Sequence, residues 1–513
     1  MRRALTSLSL CLLIVLTACS ESPAVPSDEP EVTPTPSAAV KQQEFTLPYY
    51  PNADLHPILG SNRANMVLSS LVYQGLFELD NTFTPRGVLC SEYSVSEDKL
   101  TWTFTLADKT FSDGSPVMAS DVVRSLELAR GSTLYGSRLA DVQSVFLLED
   151  STVALTLTAP NALLPALLDI PVIRDLQDGS MPLGTGPYRF AEDDGPLRLV
   201  REDFAPDTLP AQIPLLPIDH ADDLIYAFDA GNVSLTDSDL TGSNALGYST
   251  GYEAYDYPTT TMLYVGFRAA DGPCSDPLVR QALSRSFDRD TVAGSLLSGH
   301  AQATCLPVSP RSPLHSSAHE AAGSYDPAAA EALLGEAGYA RGEDGLLYRG
   351  RSSLALTLVV NTDNSFKLAV ADYLAGQLTV MGIQVTLQKL AWDDYLAALE
   401  AGAFDLYLGE VTLSADFDLS ALLSAEGNLK FGGFQSTEMD TAQYILRYAG
   451  VGELLLFEQF QADAPFAPLC FKNNSVLTQW QAVSGLNPTR QNPFYNSETL
   501  RFRSETEDQQ ATS

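Results

Sequence analysis

The sequence predicts an α/β protein with at least two lobes, and two observations support this. The chain has 513 residues, 45% of them hydrophobic, which is more than a single hydrophobic core usually accommodates. Between residues 354 and 411 the pattern alternates strand, helix, strand, helix and strand, with Gly382 and Gly402 where the two helices should end. Such a β–α–β–α–β run is typical of a doubly wound sheet.

The rest of the chain predicts further elements in the same way, from the period of the apolar residues. The two close glycines of Gly184-Thr185-Gly186 could suggest a phosphate loop, but no lysine follows at the required spacing and a strand follows where a helix is needed. A turn into a strand is therefore favoured. The predicted strands are 44–50, 100–106, 153–157 and 259–267, and the predicted helices are 66–79, 120–130, 276–298 and 327–338.

The N-terminus has the pattern of a secretory signal with a lipid attachment site. Two arginines precede a short apolar run, which ends at Leu16-Thr17-Ala18-Cys19 and is too short to span a bilayer. This resembles the bacterial lipobox, so residues 1–18 are predicted to be the signal peptide and Cys19 the lipidated residue; an ordinary signal peptide with a chance cysteine is the alternative. Residues 19–43, rich in Pro, Ser and Glu, predict a disordered tether.

The charge and the cysteines limit the partners and the chemistry. With 64 acidic residues, 30 basic residues and a net charge of −34, the chain is not expected to bind nucleic acid or to adhere to anionic lipid by charge. Four cysteines remain beyond Cys19. Because Cys274 and Cys305 flank one helical segment in a compartment that permits disulfides, we expect a bridge between them, with Cys90 and Cys470 as buried thiols.

Six motifs occur in a characteristic order and together resemble the extracellular solute-binding protein family 5, which includes binding proteins for oligopeptides, dipeptides and nickel complexes that serve ABC importers. The resemblance implies a two-lobe, periplasmic-binding-protein-like (type II) fold with an inserted subdomain in lobe 1, no enzymatic activity and no cofactor. The motifs begin at Val72-Tyr73-Gln74-Gly75-Leu76, Gly184-Thr185-Gly186-Pro187-Tyr188, Asp276-Pro277-Leu278-Val279, Tyr325-Asp326-Pro327, Met381-Gly382-Ile383 and Asp463-Ala464-Pro465-Phe466.

The resemblance also implies a division of the mature chain, with hinges near residues 257–261 and 478–481. We expect lobe 1 to comprise residues 44–64, 173–258 and 482–506, the inserted subdomain residues 65–172, and lobe 2 residues 259–481.

Candidate ligand contacts follow from the same resemblance, each with a plain structural alternative. Asp416 matches the acid that holds a ligand amine, although it could be a solvated loop acid. Asn62 and Arg63 belong to the loop that touches ligand backbone in the family; Arg63 could hold a ligand carboxylate or pair with a surface acid. Tyr264, Trp392 and Phe434 could stack on a ligand or belong to the core.

Other kinds of site are not expected. His315 and His319 have the i, i+4 spacing of a helical metal site, but Pro313 and loop-like surroundings favour a surface segment, so no metal is expected. No nucleophile elbow or His-Glu-x-x-His motif is present in the sequence.

These expectations converge on a monomeric, lipid-anchored, extracytoplasmic binding protein. It would capture a peptide or similar small solute and deliver it to the permease subunits of an ABC importer. The alternatives are a surface receptor for a signalling peptide and a secreted hydrolase.

Overall fold

The computed structural model describes residues 44–176, 180–192, 195–242, 247–249 and 251–502. The predicted signal peptide, the lipidation residue Cys19 and the whole of the predicted tether lie outside these residues. Within the described part of the chain, no helix is both long enough and apolar enough to cross a bilayer.

Several helices begin at a residue whose side chain accepts a hydrogen bond from the first turn. Asn62, Asp276, Asp326 and Asn364 each accept from a backbone N–H that has no partner inside its helix. The helices are α1 (Arg63–Val72), α2 (Ala119–Arg130), α3 (Ala221–Asp229), α4 (Pro277–Arg285), α5 (Arg289–Thr291), α6 (Ser317–Gly323), α7 (Pro327–Glu336), α8 (Ser365–Val380), α9 (Trp392–Glu400), α10 (Ser420–Leu423), α11 (Thr437–Ala449) and α12 (Glu453–Asp463).

The strands of the described chain range from two-residue pairs to one strand of 16 residues. They are β1 (Leu47–Tyr49), β2 (Phe77–Leu79), β3 (Pro85–Gly87), β4 (Cys90–Val95), β5 (Thr101–Leu106), β6 (Val142–Glu149), β7 (Thr152–Leu157), β8 (Tyr188–Ala191), β9 (Arg198–Arg201), β10 (Gln212–Pro217), β11 (Leu235–Ser238), β12 (Tyr252–Phe267), β13 (Ala301–Ala303), β14 (Ala340–Arg341), β15 (Leu347–Arg349), β16 (Ser352–Ser353), β17 (Ala355–Asn361), β18 (Gln384–Leu390), β19 (Leu406–Thr412), β20 (Phe466–Gln479), β21 (Val483–Ser484) and β22 (Arg501–Phe502).

The largest sheet has seven strands in the order β11-β20-β12-β19-β17-β18, with β13 also paired to β20. Strand β17 runs parallel to both β18 and β19, whereas β12 runs antiparallel to β19 and β20. The chain order β17-α8-β18-α9-β19 is the predicted β–α–β–α–β run, so this prediction is confirmed. Helices α8 and α9 supply the crossovers that parallel neighbours require.

Two four-stranded sheets belong to the other part of the molecule. In the order β1-β10-β9-β8, the terminal strand β1 runs parallel to β10 and the rest pair antiparallel. The sheet β4-β5-β7-β6 is antiparallel throughout, and β5 alternates between half-buried and buried residues, as its apolar–polar alternation predicts.

The buried apolar side chains form separate clusters. The cluster that we call the first core draws on residues 47–257 and 476–500. Two further clusters, which together we call the second core, draw on residues 262–471 and include Phe83 from the first part of the chain. Separate cores fit the expectation that a chain of this length divides its interior.

Strands β12 and β20 pass from one core to the other without a break. In β12, Tyr257 is buried in the first core and Met262 in the second; in β20, Val476 is in the first core and Phe471 in the second. Their pairing shifts register between Pro258 and Met262. Since a register shift bends a strand and disrupts its ladder locally, the crossing is also the place where the two strands are least regular.

Ionic contacts surround the crossing strands. Lys472 of β20, whose side chain is 4% exposed, donates to the Asp239 carboxylate at 2.6 Å and lies 3.4 Å from a carboxylate oxygen of Glu410. The His300 imidazole lies 2.9 Å from the carboxylate of Asp256 in β12. The hydrogen bond with Asp256 raises the pKa of His300, although partial burial opposes it.

Two predicted helices have different bounds in the structure. Helix α1 begins at its cap Asn62 and ends at Val72, so the predicted helix 66–79 is wrong in its second half, where β2 stands. The predicted helix 276–298 is interrupted. Helix α4 ends at Arg285, and the Asp288 side chain accepts from the N–H of Thr291 to begin a new turn.

The Gly184-Thr185-Gly186 segment is a turn that leads into strand β8, as predicted. A Cβ atom at Gly184 would lie 2.0 Å from the Val72 carbonyl oxygen, and one at Gly186 would lie 2.5 Å from the Leu71 carbonyl oxygen. The glycines thus allow the turn to pack against the end of α1, which is a structural reason for them that needs no phosphate.

Candidate ligand-binding site

A cavity of about 560 Å³ lies in the part of the molecule that forms the first core. One face of α1 lines it, because Arg63, Met66 and Ser70 follow one another at helical spacing. The opposite walls come from the turn around Arg138 and from the C-terminal segment around Arg490. A cavity of this size can hold a small organic solute.

Arg63 is a cavity residue whose guanidinium is already paired. Its Nη2 donates to the Asp237 carboxylate at 2.5 Å and to the Tyr257 hydroxyl at 2.6 Å. Both terminal nitrogens also donate to the backbone carbonyl of Arg490 at 3.2 Å. Burial lowers the pKa of Arg63, but the charge of Asp237 outweighs it and the net direction is upward. Arg63 therefore ties α1 to β11, β12 and the C-terminal segment.

A second arginine of the cavity is also paired. Arg138 donates to Asp169 at 2.6 Å, and both side chains are largely buried. Opposite them, the Asn492 amide donates to the Glu78 carboxylate at 2.5 Å. Burial raises the pKa of Glu78, even though the Asn492 hydrogen bond opposes the shift.

The third arginine, Arg490, differs from the other two. Among the described residues, its guanidinium makes one hydrogen bond, to the Leu413 carbonyl at 3.3 Å, and has no carboxylate within 4.0 Å. Burial, together with the positive charges of Arg138 and Arg63, lowers the pKa of Arg490 to about 10. At neutral pH it is still a cation. Because Leu413 belongs to the part of the chain that forms the second core, this bond also joins the two cores at the edge of the cavity.

Asp416 lies where the two cores meet and does not line the cavity. It is 6% exposed, and its carboxylate accepts from Ser414 Oγ at 2.5 Å and from Asn161 Nδ2 at 3.2 Å. Asn161 comes from the first part of the chain, between β7 and the turn at residues 164–167. Asp416 is therefore a buried interface acid, in contrast to the solvated loop acid that was the structural alternative.

Arg447 of α11 extends the same interface. Its Nη2 donates to the Asp141 carboxylate, its Nη1 lies 3.6 Å from Asp418, and its carbonyl accepts from the N–H of Ala162 at 2.7 Å. Burial and the nearby Asp416 charge raise the pKa of Asp418. We refer to Asp141, Asn161, Ala162, Asp416, Asp418 and Arg447 as the interface cluster.

The other predicted ligand contacts lie outside the cavity. Asn62 caps α1, with its side chain accepting from the N–H of Asn65 at 3.1 Å. Tyr264 and Phe434 are buried in the second core. Trp392 is 49% exposed and stacks on Tyr395 at the start of α9. Of the six predicted residues, only Arg63 lines the cavity, so the structure does not bring them together, and their ligand roles stay predictions.

The predicted bridge between Cys274 and Cys305 is wrong in this structure, where the four described cysteines are free and buried. The two thiols pack in different apolar clusters, and Cys305 Sγ donates to the Glu320 carbonyl at 3.4 Å. Burial raises the pKa of Cys90 to about 11 and that of Cys305 to about 12.

The described residues contain no group of three or more His, Cys, Asp or Glu side chains that could hold a metal ion. His315, one of the two histidines at helical spacing, lies 3.3 Å from Glu320. His319 follows the Ser316 cap of α6 and packs against Phe457.

Residues 84–428 match the family described as bacterial extracellular solute-binding proteins, family 5 Middle, and this match covers more than half of the chain. The chain belongs to this family. It is therefore an extracytoplasmic solute-binding protein and not an enzyme, as its motifs predict. Strands β5 and β17–β19 and the interface cluster except Arg447 fall within the matched region, whereas α1, Arg490 and the rest of the C-terminal wall fall outside it.

Individual relatives share only part of the sequence with this family 5 protein. It is 29% identical over 276 residues to a Brucella ovis protein named for ABC-transporter peptide binding, a match spanning 49% of this chain and 52% of that protein. The chain thus spans about half the length of the curated relatives of this kind. It is 24% identical over 418 residues to the glutathione-binding protein GsiB of Salmonella typhi, spanning 76% of this chain and 78% of that protein.

A solved structure shows that the fold is shared more widely than the sequence. The unliganded open form of the periplasmic murein tripeptide-binding protein MppA superposes with a TM-score of 0.71 at 19% identity, covering 91% of this chain and 98% of that chain. This confirms the predicted α/β, periplasmic-binding-protein-like fold.

Two arginines that line the cavity were not predicted from the sequence. Arg490 follows Asn487-Pro488, in a segment without helical or strand periodicity, and the sequence predicted only that this segment returns to lobe 1. Arg138 lies in a short turn after α2 that carries no motif. A positive charge in an acidic chain was the one signal that could have drawn attention to them.

Proposed function

We propose that this family 5 protein is the substrate-binding component of an ABC importer, anchored to the membrane through a lipid on Cys19. It captures a peptide or similar small solute and presents it to permease subunits. The family, the relatives named for peptide and glutathione binding, and the signal and tether patterns of residues 1–43 support this proposal.

The position of the cavity is the observation that carries the proposal. Every residue that lines the cavity belongs to the part of the chain that forms the first core, and one of them, Arg490, donates to the Leu413 carbonyl of the second core. A solute that binds Arg490 acts on a residue that joins the two cores, so it can favour the form in which they are in contact. Permease subunits could then distinguish loaded from empty protein by its shape.

We further propose that the two cores act as lobes, with the boundaries expected from the resemblance. Lobe 1 comprises residues 44–64, 173–258 and 482–506, carries the subdomain 65–172, and faces lobe 2 at residues 259–481. The register shift in β12 and the paired crossing of β12 and β20 support a hinge there, because the backbone ladder is already interrupted. Hydrogen–deuterium exchange that shows no difference between residues 257–261 and residues 252–256, the regularly paired start of β12, would contradict this hinge.

Ligand identity is tested by mass spectrometry of the solute released from protein purified without denaturation. We expect peptides or amino-acid derivatives, and titration of the recovered compound into stripped protein should saturate at one site per chain. A carbohydrate or a metal chelate as the recovered and rebinding compound would refute the peptide proposal.

The anchor and the importer are tested separately. Cys19→Ala should move the protein from the membrane fraction to the soluble fraction, while the control Cys90→Ala should not. Loaded protein should stimulate ATP hydrolysis by the cognate permease–ATPase complex in vesicles. Stimulation that does not depend on this protein would rule out the importer role, leaving a surface receptor as the alternative.

A further inference from the structure

We propose that the ligand of this cavity carries an anionic group, a carboxylate or a phosphate, and that Arg490 is the residue that receives it. The inference rests on the proposed solute-binding function and narrows the class of solute.

The balance of charge around the cavity supports this assignment. Three guanidinium groups line the cavity, and two of them form ion pairs with buried carboxylates: Arg63 with Asp237, and Arg138 with Asp169. Arg490 forms no ion pair with an acid among the described residues. Glu78 also lines the cavity, but its carboxylate accepts a hydrogen bond from the Asn492 amide. Arg490 is partly buried, and its guanidinium lines the cavity without a counterion, so the site favours a ligand that brings the negative charge.

Two other arginines without a paired acid show how backbone carbonyls can replace a carboxylate, which does not happen at Arg490. Arg280 is 5% exposed and donates to four backbone carbonyls, and Arg289 is 4% exposed and donates to two carbonyls and the Ser284 hydroxyl. In both side chains each of the three guanidinium nitrogens donates to an acceptor of the protein. A guanidinium has five N–H donors, and Arg490 uses one of its nitrogens, on the Leu413 carbonyl. Its remaining donors suit the two oxygens of a carboxylate or phosphate.

Neighbouring polar atoms indicate what else the ligand contains. Both the Oε1 and Nε2 atoms of Gln491 are buried without a hydrogen-bond partner among the described residues, and so is Oδ2 of Asp169. Gln491 can both donate to and accept from an amide, and Asp169 can accept from an N–H group. A small peptide with a free carboxylate offers all of these groups, so it is the solute class that fits best.

The test compares charged and neutral probes on the full mature protein and on Arg490→Met. The probes are mixtures of dipeptides and tripeptides as free acids, the same mixtures as C-terminal amides, and inorganic phosphate, with thermal stabilisation followed by calorimetric titration. The free acids should bind wild type at least about tenfold more tightly than the amides, and Arg490→Met should lose this preference. Stabilisation by phosphate that Arg490→Met abolishes would also uphold the anion site and would assign it to phosphate.

Two controls separate a binding role from a structural one. Arg341→Met removes an exposed arginine that pairs with Glu331 and should bind the free acids like wild type. Without ligand, Arg490→Met should melt at or above the wild-type temperature, since the bonds from Arg63 go to the Arg490 backbone and remain. Arg490→Lys, which keeps the charge, should retain part of the preference and covers the case in which the Met variant does not fold.

Equal binding of free acids and amides by wild type, or equal binding of free acids by wild type and Arg490→Met, would overturn the anion site and leave the solute-binding function standing. Failure of every probe to bind the wild type at millimolar concentration would reject both.

Discussion

Replacing Arg447 by methionine should shift this family 5 protein towards a form in which its two cores are separated. The arginine reaches from α11 to Asp141, which belongs to the first part of the chain, and it also neutralises Asp418 beside Asp416. Methionine keeps the aliphatic length but cannot donate. The change therefore removes the ionic contact and leaves two neighbouring buried acids without their cation.

The size of the effect follows from the exposure of the partners. Hydrogen bonds to charged groups contribute about 1.5–3 kcal/mol when buried. The side chains of Arg447 and Asp141 are 23% and 37% exposed, so solvent reduces this to about 1–2 kcal/mol. The ratio of separated to contacting forms should rise by a factor of about 5–30. The hydrogen bond from the Ala162 N–H to the Arg447 backbone carbonyl remains in the variant, so the loss should not exceed this range.

Small-angle X-ray scattering of the ligand-free protein gives the first measurement, and the radius of gyration should increase in Arg447→Met. Because the proposed function couples solute binding to the contacting form, the dissociation constant of the recovered ligand should rise by a similar factor. Arg130→Met is the matched control, since Arg130 pairs with Glu127 inside α2 and touches no interface acid. A double-mutant cycle with Asp141→Asn should show coupling of about 1 kcal/mol. Identical scattering and affinity in wild type and Arg447→Met would refute the reasoning.

Three further predictions concern stability. Because its folded pKa is raised, His300 stabilises the protein fully below the unfolded pKa of about 6.5 and loses this contribution as pH rises through the folded pKa. The free energy of unfolding, measured with urea, should thus fall by about 0.5–1 kcal/mol above pH 6.5, and His300→Asn should abolish this slope. Lys472→Met should cost about 2–3 kcal/mol in the same assay, because two partly buried carboxylates lose their cation; no loss would contradict the assigned pairing. Gly184→Ala should lower stability by about 2 kcal/mol through the clash with the α1 carbonyl, whereas the control Gly376→Ala, exposed in α8 with open space around its Cβ, should raise it by about 0.5–1 kcal/mol.

Much of the fold was predictable because local patterns and global packing agree. Gly382, at φ +86°, and Gly402, at φ +63°, end α8 and α9 where the sequence places the stops, since only glycine adopts this backbone readily. The sequence was less informative where a helix pattern continues through a break. Apolar periodicity runs past Ser286, but the Asp288 cap starts a new turn, and a cap of this kind is easily taken for a residue inside a helix.

The candidate site was much less predictable than the fold, because its residues are distant in the chain. Arg63 meets Asp237, which lies 174 positions later, and no spacing rule connects the two. The ligand-amine role of Asp416 stays a prediction, and the partner that the structure gives it, Asn161, comes from the first part of the chain, 255 positions earlier. Burial decides such roles, and burial of single polar residues is not encoded in local periodicity.

The C-terminal wall of the cavity has a consequence for the order in which the protein becomes active. Residues 490–499 close the cavity, and β20 and the residues after it complete the first core, although that core begins at Leu47. During synthesis or translocation the second core can therefore form first, because the first core cannot be completed until almost the last residues have emerged. A chain cut short after residue 480 should still form much of the seven-stranded sheet yet have no pocket. Such a truncation product should retain no solute.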